Sequence, residues 1–120
     1  KKIAIKREIQ SINFFGFIST KAAYENGSEF VDELKEYLQE NMKFTKNYLQ
    51  KNSPNIDFML PEATYLLWLN FKNTKLTQSK VALNDGVSFG SNGNSYFRLN
   101  VALSKNALKV ALDDISKSFQ

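Results

Sequence analysis

Between Asn52 and Ser104 the apolar residues of this chain fall into four short runs, while the segments on either side carry theirs three and four residues apart. The order of elements is therefore helix, helix, four strands, helix. Successive strands with no helix between them return through turns and pair antiparallel, which leaves the amphipathic helices to cover one face. The expected fold class is α+β, a mostly antiparallel small sheet with helices packed on one side.

Residues 13–26 hold Phe14, Phe17, Ile18, Ala22 and Ala23 at helical spacing, and Asn26-Gly27 supplies a stop. A second helix follows at once, with Ser28 as its expected N-cap and Glu29, Asp32 and Glu33 near the positive end of its dipole. Its stripe of Phe30, Leu34, Tyr37, Leu38, Phe44, Tyr48 and Leu49 has the spacing of a face buried against a sheet rather than of a cofactor box. Asn52-Ser53-Pro54-Asn55 breaks the helix, and Ile56-Asp57-Phe58-Met59-Leu60 reads as a strand ended by Pro61. Residues 64–71 form the best strand candidate. Their apolar side chains do not alternate, which predicts a central strand covered on both faces. Val81-Ala82-Leu83 reads as a shorter strand entering the loop around Asp85-Gly86, and Ser104 as the cap of a last helix bearing Leu108, Ala111, Leu112, Ile115 and Phe119.

The remaining strand carries the chain's most informative polar residue. Alternation puts Phe97, Leu99, Val101 and Leu103 on one face and Tyr96, Arg98, Asn100 and Ala102 on the other. A guanidinium held on a rigid strand can grip a carboxylate through two parallel hydrogen bonds, with the Asn100 amide as support. An exposed arginine that only solubilises a sheet face would give the same pattern.

Composition narrows the chemistry. The 120 residues, 42% hydrophobic and 23% charged, suit one domain with a real core. The chain has neither cysteine nor histidine, which removes thiol nucleophiles, disulfides, imidazole bases and the usual zinc ligands. No metal site is expected. A cysteine-free chain is compatible with a reducing cytoplasm, the expected location. The net charge of +4 comes from lysines spread along the chain with no basic block, which disfavours nucleic acid as a partner. No apolar run approaches the roughly 20 residues of a membrane helix, so no membrane partner is expected. Gly86, Gly90 and Gly93 lack the Lys-Ser/Thr of a phosphate-binding loop and lead into a strand, so they read as turn formers. The chain opens Lys1-Lys2-Ile3 with a basic, uncapped segment over residues 1–12, which reads as a connecting helix from a preceding part of a longer protein.

Four segments in order carry a family resemblance. Ala22-Ala23-Tyr24-Glu25-Asn26-Gly27, Tyr37-Leu38-Gln39-Glu40-Asn41, Pro61-Glu62-Ala63-Thr64-Tyr65-Leu66-Leu67-Trp68-Leu69, and Gly86-Val87-Ser88-Phe89-Gly90 followed by Phe97-Arg98-Leu99-Asn100-Val101-Ala102 resemble the C-terminal part of class I/II aminotransferases. Within these fold-type I pyridoxal-phosphate enzymes the resemblance is greatest to the cystathionine β-lyase-like, carbon–sulfur lyase branch. It implies that residues 1–120 are a single C-terminal small domain, a fragment of a longer enzyme.

The resemblance further implies that the Schiff-base lysine, the aspartate at the pyridine nitrogen and most of the phosphate cup lie upstream in a large domain. On that reading this chain holds no catalytic or cofactor-binding residue, is inactive alone, and binds no pyridoxal phosphate by itself. Arg98 stands where the family's arginine for the substrate α-carboxylate is expected. The implied partners are a small amino-acid substrate, the large domain, and a second copy in a homodimer. The chain departs from the family pattern at Ala63, where glycine is common, and between Phe71 and Val81, where a helix is usual and only residues 72–80 connect. Two other readings stay open on the residues alone: a free-standing amino-acid or carboxylate-binding regulatory module, and a purely structural or oligomerisation domain.

Overall fold

A computed structural model describes residues 13–74 and 83–118. Contacts divide the chain into two units, Lys1–Lys35 and Glu36–Gln120. In the first, helix α1 spans Phe14–Asn26. The Asn13 side chain caps it by accepting from the Gly16 N–H at 2.7 Å. Gly27 closes it, donating to the Ala23 carbonyl at 2.8 Å. Helix α2, Ser28–Asn52, starts at Ser28 itself, and the Gly27 carbonyl accepts from Val31 N–H. The expected Ser28 cap is thus displaced by one residue, because the glycine that ends α1 also opens α2.

The second unit holds the sheet. Strands β1 (Asp57–Met59), β2 (Leu66–Asn70), β3 (Asn84–Asp85) and β4 (Tyr96–Asn100) pair antiparallel throughout in the order β1-β2-β4-β3. Helix α3, Lys105–Lys117, follows β4, capped by the Ser104 hydroxyl accepting from Ala107 N–H at 3.3 Å. One face of the sheet supplies Leu67, Leu69, Phe71, Leu99 and Val101 to the core, and Leu49 of α2 with Leu108, Leu112 and Ile115 of α3 close it. Each such side chain contributes about 1.5–3 kcal/mol by leaving water. The α+β class with helices on one side is what the sequence predicts.

Four expectations are corrected. β2 alternates: Leu67 and Leu69 are fully buried, while Trp68 is 38% exposed, so only one face of this central strand is covered. The uninterrupted apolar run reflects an open face that is itself apolar. Of the expected α2 stripe, Leu49 is fully buried and Phe44 and Tyr48 pack against the core, whereas Phe30, Leu34 and Tyr37 are exposed and the buried line passes through Asn41 and Thr45 to Leu49. Polar residues belong on that line because Asn41 donates to the Val101 and Leu103 carbonyls at 2.9 Å each, and Thr45 to the Asn41 carbonyl. Leu103 leaves the β4 face, since the strand ends at Asn100. The described third strand is Asn84–Asp85, with Leu83 outside it; residues 81 and 82 of the expected 81–83 strand lie outside the described residues. So do the segment 1–12, most of the 72–80 connection and Phe119. Near Ala63, the residue with positive φ is Thr64, at 71°, so the turn there does not need glycine at position 63.

Candidate functional site

The uncovered face of the sheet presents Leu66, Trp68 and Asn70 of β2 opposite Asn100, Arg98 and Tyr96 of β4. Met59 of β1 joins them beside Trp68. Arg98 occupies the middle of this face, flanked by Trp68 on one side and Asn84 of β3 on the other. Its predicted orientation away from the core is the observed one.

The loop between β3 and β4 folds back over the guanidinium. Two short 3₁₀ turns, Gly86–Phe89 and Ser91–Gly93, form it, and the Asp85 carboxylate starts the first by accepting from Val87 N–H at 3.0 Å. Gly86 and Gly93 meet backbone to backbone: a Cβ on Gly93 would lie 2.0 Å from the Gly86 carbonyl oxygen, and one on Gly86 2.5 Å from that of Gly93. Only glycine fits either position. This clasp brings Phe89 over Arg98, whose Cζ lies 4.3 Å from the ring centroid, a cation–π contact. Trp68 meets the same ring edge-on at 5.4 Å.

Arg98 is half-buried, its Nε is buried with no hydrogen-bond partner, and no ion pair among the described residues includes it. A buried charged donor left unpaired costs free energy. Beside it an open cleft of about 610 Å³ is walled by Trp68, Phe89, Met59 and Tyr96, with the backbone of residues 90–93 along its rim. Trp68 and Phe89, the two aromatic neighbours of Arg98, both line this cleft. Asn100 spends its Oδ1 on the Ala102 N–H at 2.8 Å, an Asx turn that ends β4, and its amide N–H groups remain available. Asn70 donates to the Tyr96 hydroxyl at 3.3 Å across the same face.

The sequence pattern singles out Arg98 but not Phe89 or Trp68 as its neighbours. Phe89 precedes Arg98 by nine residues and meets it through the loop closed by the Gly86–Gly93 contact, and nothing in a linear pattern signals that closure. Asn41 was missed too; it anchors the segment just beyond Arg98 from α2. Among the described residues no group of three or more acidic side chains is placed to hold a metal ion. No helix among them is long and apolar enough to cross a membrane.

No protein-family model matches the chain. It is 32% identical over 111 residues to the cystathionine beta-lyase PatB of Bacillus subtilis, covering 84% of this chain and 29% of that protein. It is 33% identical over 114 residues to a cystathionine beta-lyase of Corynebacterium glutamicum, covering 88% and 30%. Among solved structures, the pyridoxal-phosphate-bound carbon–sulfur lyase of Staphylococcus hominis in complex with the inhibitor L-cycloserine superposes with a TM-score of 0.84 at 25% identity, over 99% of this chain and 32% of that one. The chain spans about a third of the length of the relatives it matches.

Proposed function

We propose, for a chain whose sequence and fold are those of the C-terminal part of the aminotransferase and carbon–sulfur lyase group of pyridoxal-phosphate enzymes, that it supplies the arginine binding the substrate α-carboxylate. The observation that carries this reading is the buried, unpartnered Nε of Arg98 on the open sheet face. A guanidinium with an unmet donor is ready for an anion, and its flat fork matches a carboxylate. The donor set is one guanidinium, the rim of a glycine-rich turn and neutral amides; it fits a single carboxylate and singles out nothing for the cofactor's phosphate.

On this reading the intact enzyme processes an amino acid, by transamination or by carbon–sulfur β-elimination. Pyridoxal phosphate, held by groups expected on the large domain, acts there as an electron sink at the substrate Cα. Arg98 positions that carbon by fixing the carboxylate, with Asn100 as support, and transfers no proton. A homodimer, a cytoplasmic location and the absence of nucleic-acid or membrane partners belong to the same proposal.

The test is Arg98→Lys in the full-length enzyme. An ammonium keeps the charge but loses the two-pronged contact, at about 2–3 kcal/mol, a roughly 30- to 150-fold fall in kcat/KM for an amino acid. Its decarboxylated amine should be turned over almost as before. Equal losses on both substrates would mean that Arg98 does not read the carboxylate.

A further inference from the structure

We infer that Phe89 is a positioning residue for Arg98, its ring holding the guanidinium in the orientation from which it meets the substrate carboxylate. The inference rests on the reading of Arg98 as the carboxylate-binding residue, and adds to it a residue from a different segment.

Three observations carry it. Phe89 is 51% exposed, so hydrophobic burial does not account for its place, yet its ring lies 4.3 Å from Arg98 Cζ. The ring is itself braced, since Trp68, paired directly with Arg98 across the sheet, contacts it edge-on at an interplanar angle of 85°. The loop that carries Phe89 is tied down at both ends by the Gly86–Gly93 backbone contact and by the Asp85 side chain. A long arginine side chain ordinarily samples many rotamers. Here no described hydrogen bond or ion pair restrains its Nε, and the aromatic ring is the contact that does. Restraining the fork before substrate arrives reduces the entropy lost on binding, which is how a side chain that never touches substrate affects selectivity.

The experiment compares Phe89→Leu, Phe89→Tyr and Arg98→Lys in the full-length enzyme, with kcat and KM measured for an amino acid and for its decarboxylated amine. Removing a cation–π contact should lower kcat/KM for the amino acid about 3- to 30-fold in Phe89→Leu. The amine should change by less than about twofold, and Phe89→Tyr, which keeps the ring, should stay within about twofold of the parent on both. Should Phe89→Leu fail to fold, Phe89→Met, unbranched and without a ring, takes its place. If Arg98→Lys discriminates between acid and amine while Phe89→Leu is silent or affects both equally, the positioning role is overturned and the carboxylate reading stands. If Arg98→Lys itself fails to discriminate, the carboxylate reading falls and this inference with it.

Discussion

Asn41 joins the helical layer to the strand that bears Arg98. It is fully buried, its amide donates to the carbonyls of Val101 and Leu103, and its Oδ1 has no partner. Tyr37 gives the Leu103 carbonyl a further donor at 3.0 Å. In Asn41→Ala the Val101 carbonyl loses its donor in a buried setting, while Leu103 keeps that of Tyr37. One unmet buried acceptor costs about 1–3 kcal/mol, so the urea midpoint should fall accordingly with an unchanged slope. A loss near zero would mean that water replaces the amide. The residue scale also marks what a linear pattern can reveal: Arg98 was legible because a lone guanidinium on an alternating strand is chemically conspicuous, whereas Asn41 sits in a helix as one asparagine among several.

Among the elements, α2 and α3 are linked at a polar seam outside the core. Lys109 donates to Asp113 at 2.7 Å, Tyr48 donates to the other carboxylate oxygen, and Ser53 and Ser116 share a buried hydrogen bond at 2.8 Å. The hydrogen bonds from Lys109, then from Tyr48, hold the Asp113 carboxyl below its ordinary value. Burial, and next the bond to Asp113, push the Tyr48 phenol above its own. A depressed carboxyl adds stability in full above the unfolded value of about 3.9 and loses it as pH falls through the native one; a raised phenol adds stability in full below about 10 and loses it as pH rises further. Asp113→Asn should therefore flatten the acid side of a Tm-against-pH curve between about pH 5 and pH 2. An unchanged acid slope would show that the seam does not report Asp113.

For the molecule, the decisive feature is that the sheet has one covered and one open face. Trp68 stands on the open one, so the 120-residue chain should show native emission intermediate between buried and solvated indole, quenched by iodide and moving further to the red in denaturant. Emission as blue as a core tryptophan, shielded from iodide, would contradict the open face. The sequence by itself determined the element order, the antiparallel class, the cap at Ser104 and the outward aim of Arg98, because helical spacing, strand alternation and capping act over a few neighbouring residues. Only the tertiary structure decided that β2 is covered on one side, that Asn41 and Thr45 belong on the buried line of α2, and that Phe89 closes over Arg98. Those outcomes depend on register and on loop closure between residues distant in the chain, and Leu66, Trp68 and Phe89 look equally apolar wherever the fold puts them.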